Sequence, residues 1–245
     1  IFTLAKAMAK IGDYDTQPKL IDSTKEFFST LEKTSKPPMS GYFHDLVQGT
    51  DPAKVHAADI EISKDPLLHA IMRNTIAPVF LNAGFRGNVI PGSADATLNF
   101  RTIPGTNTEE LISEIKAVIN DPRVEVTNAG ARGMPAGINP AAYAEYIKTA
   151  SRMKPSTKDS ELFRALVEQS NSVFPGVPVT TYLFQAGTDA AAWRSRGIPV
   201  YGIYPYPISA EDLTRMHGND ERVSVESLQQ GTDLIYKTLL NVAAK

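Results

Sequence analysis

Cysteine is absent from the 245 residues, which excludes disulfides, thiol nucleophiles and thiolate metal sites. Histidine is scarce: with four in the whole chain, each must be weighed singly as a candidate ligand or base. Long apolar runs are missing too, and none approaches the roughly 18 residues that a membrane span needs. No Lys/Arg-rich block accompanies the formal net charge of −2, which argues against nucleic acid as the main partner. The opening residues do not read as a secretory leader. However, the chain opens on Ile1 in the helical pattern IFTLAKAMAKI without a cap, so the expectation is that further residues precede it. That reading is therefore neutral on location, and cytoplasm and periplasm suit a cysteine-free chain equally well. Internal repeats and low-complexity tracts are also lacking.

What is present describes an ordinary globular protein, with 42% apolar and 21% charged residues and a length suited to one large domain or two smaller ones. Ile1 to Leu31 read as helical, with Leu4, Met8 and Ile11 on one face. Residues 34–65 carry Lys-Pro-Pro, Ser-Gly and Gly-Thr-Asp-Pro, and so read as an irregular insertion. A short helix, DPLLHAIMRN, leads into a strand-like TIAPVFLNAGF, and GNVIPGSADATLNFRTIPG supplies a second strand between Pro-Gly turns. TNTEELISEIKAVI is a helix that Thr106 or Asn107 would cap, with Leu111, Ile112, Ile115, Val118 and Ile119 on one face. VEVTNAGA reads as a further strand. Helix, strand, strand, helix, strand is most of a ferredoxin-like α+β unit lacking its first strand.

Gly133 to Lys154, rich in Gly, Pro and Ala, is the expected domain boundary. Beyond it SELFRALVEQSNSVF reads as a helix, VTTYLFQAG as a strand, TDAAAWRSRG as a short helix and IPVYGIYPYP as a strand. The closing helix, SVESLQQGTDLIYKTLLNVA, is expected to turn Val225, Leu228, Ile235, Leu239 and Val242 inward. Alternating strands and helices imply a layered α/β piece, too small to make a good sheet alone.

Three constellations could carry chemistry. His217 stands in HGNDE, on a loop between a strand and the last helix. Imidazole suits zinc, and Asp220 or Glu221 would hold its second nitrogen. The competing reading is a surface histidine beside acids, and one histidine cannot hold zinc, which takes at least three protein ligands. His44 and His56 fall in the insertion and His69 on an apolar short helix, so all three read as structural or solvated. Asn88 and Arg101 flank one hairpin-like element. Together they would grip an anion, the guanidinium on a carboxylate and the amide on an oxyanion. Alternatively Asn88 serves a turn and Arg101 pairs with Glu109 or Glu110. Gly187 and Thr188 open a helix after a strand, an arrangement that favours an anion or simply an N-cap. No GxSxG occurs and no serine stands out, so a serine hydrolase is unsupported.

In this order, GNVIPGSADATLNFRTIPG, GTDAAAWRSRGIPVYGIYP and MHGNDERVSVESLQQGTDLIY resemble the second half of M20-type metallopeptidases. That family includes carboxypeptidase S-like enzymes, aminoacylases and succinyl-diaminopimelate desuccinylase. The resemblance implies a ferredoxin-like lid and dimerisation domain over residues 1–132 and the C-terminal part of a layered α/β zinc-hydrolase domain over 133–245. It implies that His217 matches a zinc ligand. Asn88 and Arg101 match lid residues on the substrate carbonyl and carboxylate, in several members reached across the dimer. Gly187 and Thr188 match a pocket-lining loop. Arg194 would match a substrate-binding arginine on the carboxylate, but it sits less squarely, because Ala190, Ala191 and Ala192 interrupt the family's TDxR pattern.

The family's remaining metal ligands and its glutamate base match nothing here. The expectation is therefore a C-terminal fragment, inactive alone, of a homodimeric enzyme that uses two zinc ions to hydrolyse amide bonds. Its substrates would be peptides or N-acyl amino acids with a free carboxylate. The alternative is a non-catalytic dimerisation or peptide-binding module.

Overall fold

The computed structural model describes residues 1–128 and 153–244, together with residues 139, 141, 142, 145 and 149. Most of the expected boundary segment lies outside the described residues. Two compact units emerge. One comprises residues 1–154 with the returning stretch Thr181–Gly187, and the other Pro155–Thr180 with Thr188–Lys245.

The first unit opens with α1 (Phe2–Gly12) and α2 (Asp22–Thr34), not one continuous helix. Pro18 explains the break: it removes an N–H and pushes Gln17 away from helical angles. The expected irregular insertion is in fact two helices, α3 (Met39–Gln48) and α4 (Pro52–Ile62), and α5 (Pro66–Met72) follows. The turn signals were helix starts. Asp51 caps α4 by accepting from the Ala53 N–H with Pro52 in the first turn, and Asp65 with Pro66 repeats the device for α5. Proline at the first helical position loses only an N–H that has no intrahelical partner.

These helices enclose one core of Phe28, Phe43, Leu46, Ala58, Ile62, Ile71 and Met72, with Phe28 stacked on Phe43 at 5.6 Å. The returning stretch lies on the same core through Leu183, and Tyr182 meets Phe27 edge-on at 5.1 Å. Expected as a strand, this stretch pairs with none among the described residues. Its period-two pattern is real but serves helices, because Thr181 donates to Glu26 and Gln185 to the Leu67 carbonyl.

A second core belongs to an antiparallel hairpin of β1 (Thr75–Ala83) and β2 (Ala94–Arg101), in register from Thr75 opposite Arg101 to Ala83 opposite Ala94. The register shifts between Pro78 and Phe80, where proline has no N–H to give the ladder. Ile76, Leu98 and Phe100 rest against Ala7 and Ile11 of α1 and against Ile115 and Ile119 of α6 (Thr108–Ile119). Asn107 caps α6, and Leu111, Ile115 and Ile119 form its buried face, as the sequence periodicity requires. Val124 and Val126 cover this core but form no strand among the described residues. The helix–strand–strand–helix order is an α/β arrangement that makes up part of a ferredoxin-like unit.

The second unit contains α7 (Glu161–Val173), α8 (Ala190–Arg194), α9 (Ala210–Leu213) and α10 (Val225–Ala243). The expected strand Ile198–Pro207 is irregular. Pro199, Pro205 and Pro207 lack N–H groups, and Val200 spends both its N–H and its carbonyl on the Ser156 hydroxyl. The inward face of α10 is the expected one only in part, with Ile235 and Val242 half-buried. Gly231, Leu234 and Thr238 are buried, while Val225 is 72% exposed and Leu228 and Leu239 more than half exposed. Gly231 sets that face, because a Cβ there would stand 2.9 Å from the Pro205 carbonyl oxygen. Among the described residues no helix is long and apolar enough to cross a membrane.

Candidate functional site

The hairpin fixes the first pair of candidates. Arg101 ends β2 opposite Thr75, whereas Asn88 lies in the connection beyond Ala83 and Ala94, at the other end. The seven steps from Ala94 to Arg101 span about 24 Å at strand rise. One chain therefore does not bring the two together. Both are exposed, and Arg101 forms no ion pair with Glu109 or Glu110 among the described residues, so its alternative assignment is not realised. Around Asn88 the hairpin's far end is unusually apolar for an exposed element, with Phe85 78% and Ile90 95% exposed.

Gly187 closes the part of the returning stretch that belongs to the first unit, and Thr188 begins the second unit's share. Thr188 accepts a hydrogen bond from the Ala190 N–H at 3.3 Å, a local turn at the start of the short α8. At the other end of that helix Arg194 is largely committed. Its Nε donates to Ser156 Oγ at 3.1 Å and one Nη to the Val200 carbonyl at 2.8 Å. Interlocked with the Ser156–Val200 bonds, it ties three stretches of the second unit together.

His217 is exposed and sits on a left-handed turn, with φ of 65°. Its imidazole makes no hydrogen bond among the described residues, so neither Asp220 nor Glu221 orients it. Asp220 is instead held by Arg215, whose other Nη donates to Glu211 at 2.6 Å. Nearby, the Arg222 guanidinium and the Ser209 hydroxyl hold the Asp212 carboxyl below its usual range. As a metal donor, an exposed imidazole fits zinc. It is a single donor, and no group of three or more His, Asp or Glu that could hold a metal occurs among the described residues.

The other histidines have partners or lie apart. His44 on α3 meets Glu32 at 2.9 Å, and His56 sits on α4. His69 is not simply packed: its Nε2 lies 2.9 Å from Asp15. Asp15 also accepts from Arg73 at 2.5 Å, and Arg73, only 5% exposed, reaches Asp59, Ser63 and the Thr16 carbonyl as well. This buried network was invisible in the sequence because its members come from the α1–α2 link, α4 and α5. Asn74, the next residue, anchors the hairpin's base. Its Oδ1 accepts from the Ile103 N–H and the Thr106 hydroxyl, and its carbonyl accepts from Thr16. A shallow cavity of about 320 Å³ opens beside it, lined among others by Lys19, Asn107, Glu110 and Glu114, and none of Asn88, Arg101, Gly187, Thr188, Arg194 and His217 lines it. Next to it, burial and the hydrogen bond to Glu114 push the Tyr14 hydroxyl up to about 12.

Known proteins supply the context that this geometry lacks. Residues 3–127 match the profile of the peptidase dimerisation domain of the M20 family. A probable carboxypeptidase S-like 2 of Dictyostelium discoideum is 29% identical over 241 residues, 98% of this chain and 42% of that protein. The human N-fatty-acyl-amino acid synthase/hydrolase PM20D1 is 31% identical over 181 residues, 74% of this chain and 33% of that protein. A putative succinyl-diaminopimelate desuccinylase DapE of Mycobacterium tuberculosis is 27% identical over 169 residues, 68% and 38% of the two chains. The chain thus spans less than half the length of each of these relatives. No solved structure matches it. With half of its residues on the dimerisation-domain profile and nearly all of them aligned to a carboxypeptidase S-like protein, the chain belongs to the M20 peptidase family.

Proposed function

We propose that these residues are the lid and dimerisation domain (1–132) and the C-terminal part of the catalytic domain (133–245) of a two-zinc M20 hydrolase. Its substrates are peptides or N-acyl amino acids with a free carboxylate, and it splits their amide bond. The observation that carries this is the alignment of 98% of the chain with 42% of a carboxypeptidase S-like protein. The catalytic base and the other metal donors then belong to residues outside this chain, and the chain alone is inactive.

Within that enzyme His217 contributes one imidazole to zinc, and zinc there supplies Lewis acidity toward the scissile carbonyl. Asn88 donates to the oxyanion, a kind of contact whose loss costs roughly a hundredfold or more in rate. Arg101 holds the substrate carboxylate in a bidentate grip. Gly187 and Thr188 line the pocket, and Arg194, with its donors on Ser156 and Val200, ends the short helix that follows them. Because the hairpin separates Asn88 from Arg101, we assign them to one substrate across a homodimer, one from each subunit.

Subunit mixing tests this in the complete enzyme. Asn88→Ala and Arg101→Ala homodimers should each be strongly impaired. Dissociated and reassociated together at random, they should recover about a quarter of the wild-type sites, because half the two-fold dimers are hybrids with one intact site. No recovery on proven subunit exchange would refute the shared site. Arg101→Ala should also raise KM for free-carboxylate substrates.

A second reading, a non-catalytic dimerisation or peptide-binding module, is favoured by the exposed run Val79, Phe80 and Leu81 on a two-stranded sheet. Dimerisation without zinc uptake by the complete protein would support it over the first.

A further inference from the structure

The geometry around His217 points to a device the catalytic assignment does not include: we propose that Arg215 and Asp220 are positioning residues that clip the 215–220 loop shut and hold His217 in its left-handed conformation. The inference rests on the reading of His217 as a zinc donor. A non-glycine residue at positive φ is disfavoured and persists only where the surroundings enforce it. Here three features enforce it. The Gly218 N–H donates to the Arg215 carbonyl at 2.8 Å, closing the turn around His217. The Arg215 guanidinium reaches over that turn to Asp220, so the side chains on either flank of the histidine are tied directly. Gly218 itself has no room for a side chain, since a Cβ would stand 2.9 Å from the Arg215 carbonyl oxygen and 3.4 Å from Asp220.

Arg215 is in turn anchored. Glu211 accepts its second Nη at 2.6 Å, and Asp212 lies 3.8 Å from its Nε. Glu211 and Asp212 are further fixed by Arg222, at 3.5 and 2.8 Å. The clip is therefore part of a charged lattice on α9 and its flanks, while the imidazole has no hydrogen-bond partner among the described residues and is exposed. Neither Arg215 nor Asp220 touches the imidazole. They act through the backbone that carries it.

The test uses the complete enzyme, with Arg215→Ala, Asp220→Ala, the conservative Arg215→Lys, and His217→Ala as reference. Zinc affinity is read by competition with a chromogenic chelator, and amide hydrogen exchange at Gly218 in the metal-free protein. Each single alanine variant should weaken zinc roughly tenfold, the scale of orienting contacts around metal ligands. Each should also speed exchange at the Gly218 amide, and Arg215→Lys, which keeps the charge facing Glu211 and Asp220, should largely retain both readouts. Unchanged exchange in the single variants overturns the clip. Faster exchange with unchanged zinc affinity overturns its positioning role, provided that His217→Ala does weaken zinc. If His217→Ala leaves zinc affinity intact, the ligand assignment itself has failed, and with it the positioning proposal.

Discussion

The two units solve the problem of burial differently. In the first, four helices and a returning stretch close on Phe28, Ile62, Ile71 and Met72, all fully buried, and a charged network beneath them finds partners for nearly every donor of Arg73. In the second, α7 and α10 share a seam marked by Ala165 and Leu234, while Val225, Leu228, Tyr236 and Leu239 face outward on α10. Around this core the first unit is closed, although its hairpin leaves Phe85 and Ile90 exposed at the far end. The second exposes apolar area and irregular stretches where the sequence alternates as strands do. That contrast is what the proposed function expects of a piece whose sheet is completed by further residues of a larger enzyme.

The largest effect expected separates the two units directly. Phe28→Ala should cost about 3–5 kcal/mol in urea unfolding, as deletion of a buried aromatic ring does. Leu239→Ala, on the exposed face of α10, should stay within about 0.5 kcal/mol. A large loss at Leu239 in this chain would erase the comparison. Arg73→Ala should cost about 3 kcal/mol, because it strands the largely buried Asp59 without its cation, while the half-exposed Asp15 keeps solvent and His69.

A smaller effect sharpens the account of the second unit. Ser160 caps α7 by accepting from the Phe163 N–H at 3.0 Å, so Ser160→Ala should cost about 1 kcal/mol. If α7 is held mainly by its seam with α10, that loss will appear as lower thermal stability without loss of helical circular dichroism in the folded state.

The subtlest prediction concerns pH. Burial and Glu114 raise the Tyr14 hydroxyl to about 12, above its ordinary value of 10.0. The unfolded chain therefore ionises first, and the stability contributed by neutral Tyr14 is intact below pH 10 and lost as pH rises from about 10 toward 12. Glu114→Gln should move the tyrosinate absorbance transition of Tyr14 back toward 10. An unchanged transition would remove Glu114 as a cause.

How much of this was legible depends on range. α6 was readable because its signals are local: Asn107 before Glu109 and Glu110, then apolar residues every three or four positions. The Asp65-Pro66 start is equally local and reads as a helix, whereas Asp51-Pro52 reads as loop beside its Gly-Thr neighbours, since proline marks the end of one element as readily as the beginning of another. The face of α10 was legible only in part because its register is decided by a contact between Gly231 and the distant Pro205 carbonyl, which no window along the helix contains. The Asp15–His69–Arg73–Asp59 network was illegible for the same reason. At the candidate site, residue types pointed to His217, Asn88 and Arg101, but only the strand register showed that the last two stand at opposite ends of one hairpin.

The most direct test of the proposed function is hydrolysis of an N-acyl amino acid by the complete enzyme with zinc, comparing wild type with His217→Ala. The account predicts chelator-sensitive hydrolysis that falls by roughly a hundredfold or more in the variant, with dimerisation intact. Wild-type rates in a correctly folded His217→Ala enzyme would contradict it.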